Sequence, residues 1–127
     1  MRVFVIDDSP LVRRRLEQML TDIPGLCMVG QMDRIAGTVE AIQAAKPDLV
    51  ILDIQFPDGS GIDILEQLKS SELSMVKIML TEFPNSLYRQ RCLDAGAHYF
   101  LDKTMEFERV VEVINSLAIQ QSESINE

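Results

Sequence analysis

A regular alternation between short apolar runs and amphipathic helical patterns is the feature that most constrains the fold of this chain. Five blocks are each short enough to form a single strand, and most of them carry little polar alternation. They are residues 3–6, 26–32, 49–52, 76–80 and 99–101. Near-continuous apolar runs of this kind are typical of parallel strands buried on both faces of a sheet.

Each run is followed by a segment with the spacing of a helix. The first segment has Ser9 as its predicted N-cap and Pro10 at its first helical position, and Pro24-Gly25 ends it. The other four segments have apolar stripes at residues 35–42, 62–68, 85–95 and 107–118. Gly96 provides a C-terminal stop for the fourth segment.

These five βα repeats predict a parallel sheet with helices on both faces, joined by right-handed crossovers. We expect a five-stranded sheet in the order 2-1-3-4-5, which is the flavodoxin-like, doubly wound (βα)5 fold. The expected domain spans residues 1–119. Residues 120–127 are polar and are expected to form a frayed tail.

Composition narrows the class of protein. With 127 residues, 46% of them hydrophobic, the chain is expected to fold as one globular domain. A net charge of −8 argues against direct nucleic-acid binding, and the one basic run, Arg13-Arg14-Arg15, is predicted to be a solvated helix face. No run is long enough to span a membrane, so we expect a cytoplasmic protein. Cys27 and Cys92 lack metal-ligand spacing and are expected to be buried thiols.

Polar residues lie where four of the predicted strands end. Asp7 and Asp8 follow the first strand, Asp53 follows the third, Thr81 follows the fourth, and Lys103 follows the fifth almost directly. The carboxyl ends of parallel strands meet at one edge of a sheet, where ligands bind. We therefore expect three carboxylates, one hydroxyl and one ammonium to converge there.

This set of groups predicts a divalent cation and phosphoryl chemistry. Two carboxylates about 4 Å apart repel by ~1 kcal/mol even in water, so three require a cation. Oxygen ligands with room for water and phosphate favour Mg²⁺. A carboxylate beside the metal can act as a nucleophile toward phosphorus, and Lys103 can neutralise charge on the transferred group. Thr81 can donate a hydrogen bond to it.

Four segments make the chain resemble the receiver domains of response regulators over nearly its whole length. They are VFVIDDSP, PDLVILDIQFPDGSGIDIL, MLTEF and AGAHYFLDK. The resemblance implies that Asp53 is phosphorylated and that Mg²⁺ is the cofactor. It also implies that Mg²⁺ is held by Asp8 and Asp53 directly, by Asp7 through water, and by the backbone carbonyl of Gln55.

The same resemblance implies how the signal is passed on. Thr81 and Lys103 would hold the phosphoryl group, and Phe100 would occupy the aromatic switch position that follows Thr81. The family usually has proline after the lysine. This chain has Thr104 there, so we expect a trans bond between Lys103 and Thr104.

The predicted function is a phosphoryl-accepting receiver in a His-Asp phosphorelay of two-component signal transduction. Its partners would be a histidine kinase or phosphotransfer protein and an output protein; dimerisation on phosphorylation stays open. We expect no enzyme acting on a separate substrate, although the chain would catalyse its own phosphorylation and dephosphorylation. Because the sequence stops before any output domain, we expect a stand-alone receiver. The alternative is the receiver half of a DNA-binding transcriptional regulator.

Overall fold

In a computed structural model of the chain, residues 1–71 and 73–126 are described, with side chains as far as residue 120. The described elements are β1 (Arg2–Ile6), α1 (Pro10–Thr21), β2 (Cys27–Met32), α2 (Thr38–Ala45), β3 (Leu49–Leu52), β4 (Gln55–Phe56), β5 (Gly59–Ser60), α3 (Gly61–Lys69), β6 (Val76–Thr81), α4 (Ser86–Asp94), β7 (Tyr99–Asp102) and α5 (Arg109–Asn126). None of the described helices combines the length and apolar character needed to cross a membrane.

The main sheet is parallel and has the strand order β2-β1-β3-β6-β7. Strands β4 and β5 form a separate antiparallel hairpin. With the hairpin set aside, the order is the predicted 2-1-3-4-5. The chain moves outward from β1 to β2 and then returns to β3 on the other side of β1, so the strand order reverses at β1. The prediction of a flavodoxin-like, doubly wound fold is confirmed.

Alternate side chains of the strands feed two apolar layers, one on each face of the sheet. The first layer contains Phe4 and Ile6 and is covered by α2, α3 and α4. The second contains Val3 and Val5 and is covered by α1 and α5. Burial of one such large apolar side chain stabilises the fold by about 1.5–3 kcal/mol, which explains why these strands lack polar alternation.

Three parts of the fold differ from the pattern in the sequence: the hairpin β4–β5, the start of α2 and the end of α5. The hairpin β4–β5 is too short to give a periodic signal, since each strand has two residues. Helix α2 begins at Thr38, after Gly37 in a left-handed conformation with φ 79°, and Ile35 lies in the preceding loop.

Helix α5 continues through residues 120–126, which the sequence assigns to a tail. Residue 127 and the side chains of 121–126 lie outside the described residues, and the domain end at 119 stays a prediction.

The edge strand β2 departs from a regular ladder beside Phe4. The register of β1 and β2 shifts between Val3 and Phe4, so that Phe4 lies opposite Gly30. A Cβ atom at Gly30 would lie 2.4 Å from the Phe4 ring, so only glycine leaves room for the ring.

Cys27, at the start of this edge strand, is exposed, and the prediction that it is buried is wrong; Cys92 is buried as expected.

Candidate functional site

The four polar positions predicted to meet do lie at one edge of the sheet. Asp7 directly follows β1, Asp53 follows β3, Thr81 ends β6, and Lys103 follows β7. Backbone hydrogen bonds fix this edge: the Asp53 amide donates to the Ile6 carbonyl at 3.1 Å, and the Lys103 amide donates to the Thr81 carbonyl at 2.8 Å. The sheet itself therefore sets the spacing of these side chains.

Lys103 joins two carboxylates in the interior of the site. Its Nζ lies 2.7 Å from Oδ2 of Asp7 and 2.7 Å from Oδ2 of Asp53. Asp7, Asp53 and Lys103 expose 2%, 7% and 8% of their surface, so these contacts are made away from bulk water. The other oxygen of Asp53, Oδ1, accepts a hydrogen bond from the Ile54 amide at 2.6 Å, which fixes the orientation of this carboxylate.

Burial and charge pairing act in opposite directions on these groups. Burial by itself would lower the pKa of Lys103, but the hydrogen bonds and charges of Asp53 and Asp7 outweigh it and raise the pKa. Burial raises the pKa of Asp7, although Lys103 opposes that shift. The ammonium therefore stays protonated, while one positive charge is shared between two carboxylates.

A third carboxylate completes an acidic cluster. Oxygen atoms of Asp7, Asp8 and Asp53 all lie within 4.8 Å of one another, and Asp8 is exposed to solvent. Carboxylate oxygens grouped this closely are the ligands that Mg²⁺ prefers, either directly or through a bound water. Three carboxylates and one ammonium leave two formal negative charges, which one divalent cation balances. The cluster therefore fits Mg²⁺.

Thr81 lies at the same sheet edge as this cluster, whereas Phe100 lies within β7. Thr81 is fully buried, and its Oγ1 accepts a hydrogen bond from the Phe83 amide at 3.0 Å. The hydroxyl proton is still available to a second partner, because a hydroxyl can accept and donate at once. Phe100 points into the first apolar layer and is 7% exposed. The bond between Lys103 and Thr104 is trans, as predicted.

The segment after Asp53 is held close to the acidic cluster. Gln55 pairs with Ser60 in the hairpin, and the Gly61 amide donates to the Ile54 carbonyl at 2.6 Å. A Cβ atom at Gly61 would lie 1.9 Å from the Asp53 carbonyl oxygen, so any larger residue would displace the backbone of Asp53. Gly61 is a site residue that the sequence analysis missed.

Three residues at the start of α1 make contacts that the sequence analysis did not predict, and two of them, Ser9 and Arg13, contact Asp7. The Ser9 amide donates to Oδ1 of Asp7 at 2.9 Å, while the Ser9 side chain caps α1 as predicted. The Arg13 side chain donates to the Asp7 carbonyl at 2.6 Å, and Arg15 stacks on the Phe107 ring with its guanidinium carbon 3.9 Å from the ring centroid. Arg13 is partly buried, so the prediction of a solvated basic face is wrong for it, whereas Arg14 and Arg15 are exposed as predicted.

The chain matches a known protein family over most of its length. The sequence model of the response regulator receiver domain family matches residues 3–115. The chain belongs to this family. It is the receiver domain of a two-component response regulator, and the acidic cluster lies where its four diagnostic segments meet.

Individual relatives agree with this assignment. The receiver is 30% identical to the response regulator GacA of Pseudomonas aeruginosa over 116 residues, which cover 91% of this chain and 54% of GacA. It is 31% identical to the DNA-binding transcriptional activator DevR/DosR of Mycobacterium tuberculosis over 118 residues, with 91% and 54% covered. The receiver thus spans about half the length of these curated relatives.

Solved structures share the architecture. The signal receiver domain of the response regulator NarL from Mycobacterium tuberculosis superposes with a TM-score of 0.83 at 28% identity, covering 92% of this chain and 94% of that one. The response regulator domain of CheB from Thermotoga maritima gives a TM-score of 0.81 at 25% identity, with 94% of each chain covered.

The single histidine of the receiver lies far from the acidic cluster in the fold. His98 is exposed, and it makes two hydrogen bonds to the backbone of Lys77. Its Nδ1 accepts a hydrogen bond from the Lys77 amide at 3.0 Å, and its own amide donates to the Lys77 carbonyl at 2.9 Å. These two bonds join the starts of β6 and β7.

Proposed function

We propose that this receiver accepts a phosphoryl group on Asp53 in a His-Asp phosphorelay and signals through protein contacts that depend on phosphorylation. One observation carries the proposal. A buried ammonium, that of Lys103, bridges Asp53 and Asp7 at the same sheet edge where Asp8 reaches solvent. A carboxylate held in this way is oriented for attack and lies beside a cation that can neutralise the incoming group.

The step itself is a substitution at phosphorus. A carboxylate oxygen of Asp53 forms the new O–P bond, and the P–N bond of a donor phosphohistidine breaks. The electron pair of that bond stays on the imidazole nitrogen, which takes up a proton from water. With acetyl phosphate as the donor, a P–O bond breaks instead and acetate leaves. Lys103 supplies positive charge beside the transferred oxygens.

We assign the metal ligands to the acidic cluster. Asp8 and Asp53 would bind Mg²⁺ directly, Asp7 through a water molecule, and Gln55 through its backbone carbonyl. When bound, Mg²⁺ supplies Lewis-acid neutralisation of the phosphoryl oxygens. The remaining task of the chain is to hold the Asp53 carboxylate still, which the Ile54 amide does through its bond to Oδ1.

Signal output would begin at Thr81. Its hydroxyl has a free proton, and donation of that proton to a phosphoryl oxygen would move the end of β6 toward Asp53. Phe100 lies on the neighbouring strand and would repack as Thr81 moves, which changes the face formed by α4, β7 and α5. Phosphorylation would thus shift the populations of two conformations.

Four exposed apolar residues surround the site and support docking of a phosphodonor protein. Leu11 lies at the start of α1, Phe83 and Leu87 lie around the start of α4, and Met105 follows β7; their exposed fractions are 73%, 43%, 68% and 81%. Apolar residues grouped in this way favour protein contact. We propose a histidine kinase or a histidine phosphotransfer protein as the partner.

Self-catalysed dephosphorylation would complete the cycle. Gln55 and Phe83 are both exposed beside the acidic cluster, where water must approach the phosphoryl group. We propose that these two side chains tune the rate at which water attacks. No separate substrate is required, since the acyl phosphate is itself the species that is hydrolysed.

The second candidate function is that of the receiver half of a DNA-binding transcriptional regulator. Two observations favour it: the receiver spans about half of its curated relatives, and one of them is a DNA-binding transcriptional activator. The chemistry at Asp53 would be the same in both cases. A natural reading frame that continues into a DNA-binding domain would establish this second function.

The direct test is to incubate the purified chain with acetyl phosphate and Mg²⁺ and to weigh the intact protein. The expected result is a mass gain of one phosphoryl group, absent from Asp53→Asn and absent when Mg²⁺ is chelated. No mass gain in the wild-type chain, or an equal gain in Asp53→Asn, would contradict the proposal.

A further inference from the structure

Asp58 makes contacts that the chemistry at Asp53 does not explain. It lies in the turn of the hairpin β4–β5, and its carboxylate reaches across to the loop between β2 and α2. Its Oδ1 accepts from the Ile35 amide at 2.9 Å, and its Oδ2 accepts from the Ala36 amide at 3.0 Å. These two bonds hold the pKa of Asp58 below its usual value.

The two segments that Asp58 joins both lead into the site. The hairpin begins two residues after Asp53, and Gln55 is its first residue. The loop at residues 33–37 begins directly after Met32, whose carbonyl accepts a hydrogen bond from the Asp7 amide at 3.1 Å. A change in the distance between hairpin and loop would therefore reach the acidic cluster from both sides.

A cavity of about 380 Å³ lies between these two segments. It is lined by Asp8, Asp33, Arg34, Pro57 and Asp58. Asp8 belongs both to this cavity and to the acidic cluster. Phe56 packs into the apolar core and Gly59 lies close to Ile35, whereas on the side of the open cavity the bonds from Asp58 are the polar contacts that join the hairpin to the loop.

We propose that Asp58 is a positioning residue, whose carboxylate clamps the hairpin to the loop at residues 33–37 and thereby fixes the backbone around Gln55 for Mg²⁺. The inference rests on the proposed function, in which the Gln55 carbonyl is a metal ligand. Loss of the clamp should weaken Mg²⁺ binding, because the ligand would have to be ordered during binding.

Loss of negative charge near the site would also weaken Mg²⁺ binding, so the two effects must be separated. Asp58→Ala removes both the charge and the clamp. Asp58→Asn removes the charge and keeps one of the two acceptor oxygens, so it retains only part of the clamp. Asp33→Asn is the matched control, since Asp33 lines the same cavity and its carboxylate pairs with Arg34 rather than with the loop amides.

The test is a titration of the unphosphorylated protein with Mg²⁺ alone, followed by amide chemical shifts in nuclear magnetic resonance spectra. We expect the Kd for Mg²⁺ to rise roughly tenfold in Asp58→Ala, as for other residues that orient metal ligands. Asp33→Asn should show only a small rise, and Asp58→Asn should lie between Asp33→Asn and Asp58→Ala, because it keeps one of the two acceptor oxygens. A Kd for Asp58→Ala no higher than that of Asp33→Asn would overturn the proposal.

Hydrogen exchange gives a second readout that does not depend on Mg²⁺. The Ile35 and Ala36 amides should be protected in the wild-type chain, partly protected in Asp58→Asn, and should exchange fastest in Asp58→Ala. Equal exchange in the wild type and Asp58→Ala would overturn the clamp. Neither measurement uses phosphoryl transfer, so failure of Asp53 phosphorylation is detected separately in the mass experiment.

Discussion

At the scale of single residues, the electrostatics of the site depend on Lys103. It is the one group in the described structure that forms an ion pair with both Asp7 and Asp53, and all three side chains are buried. A buried carboxylate that loses its partner is strongly unfavourable, whereas an intact pair is close to neutral in free energy. Lys103 therefore keeps the two buried carboxylates paired when no metal ion is bound.

Replacing Lys103 by methionine tests this role. We expect the free energy of unfolding without Mg²⁺ to fall by about 3 kcal/mol, because two buried carboxylates lose their partner. Mg²⁺ should recover more stability in this variant than in the wild type, since it becomes the only nearby cation. Urea denaturation with and without Mg²⁺ measures both effects.

Arg14→Met supplies the control for that experiment. Arg14 is exposed on α1, so its replacement also removes one positive charge but leaves the acidic cluster paired. Its unfolding free energy should stay within about 0.5 kcal/mol of the wild type. If Lys103→Met and Arg14→Met were equally stable, the view that Lys103 neutralises the site would be wrong.

At the scale of elements, the contact between β6 and β7 predicts a dependence on pH. The Nδ1 atom of His98 accepts the Lys77 amide, so protonation of the ring breaks this bond. Burial, and to a lesser extent the charge of Lys77, lower the pKa of His98 from 6.5. The unfolded chain therefore binds more protons in the window below 6.5, and stability rises with pH through that window.

The measurement is the melting temperature Tm of the wild type and of His98→Asn between about pH 7.5 and pH 5.5, the range in which histidine titrates. The Tm of the wild type should fall further on acidification than the Tm of the variant, because asparagine does not bind a proton in this range. The carboxylates of the chain contribute equally to both proteins and cancel in the difference. Parallel curves for the two proteins would refute the proposed role of this hydrogen bond.

Local patterns in the sequence predicted the helices and strands of the sheet and the site at its edge, because each signal there is carried by neighbouring residues. The helix cap at Ser9 and the five apolar runs are examples. The start of α2 was not predictable in this way. The amides of Ile35 and Ala36 bind Asp58, more than twenty residues later in the chain, so no local period marks them. The bond from Arg13 to the Asp7 carbonyl likewise requires the packing of α1 on the sheet.

At the scale of the whole molecule, the net charge of −8 and the acidic cluster together predict that cation binding stabilises the fold. A ligand that binds only the folded state stabilises it in proportion to the logarithm of its concentration. At ten times its Kd, Mg²⁺ should add about 1.4 kcal/mol to the free energy of unfolding. The same addition to Asp8→Asn should give little stabilisation, because the proposed direct ligand is lost.

Asp63→Asn is the control for Asp8→Asn. Asp63 is exposed on α3, so the variant has the same net charge but keeps the acidic cluster. It should respond to Mg²⁺ like the wild type. An equal response in all three proteins would mean that Mg²⁺ acts by general screening of charge and not at the sheet edge.

The central claim is that a sheet edge assembled from distant parts of the chain makes Asp53 the acceptor of a phosphoryl group. It is tested most directly by locating the modified residue: the protein is treated with acetyl phosphate and Mg²⁺, the acyl phosphate is reduced with borohydride, and the peptides are sequenced by mass spectrometry. The reduced residue is predicted at position 53 alone. Modification at Asp7 or Asp8, or spread over several carboxylates, would contradict the account.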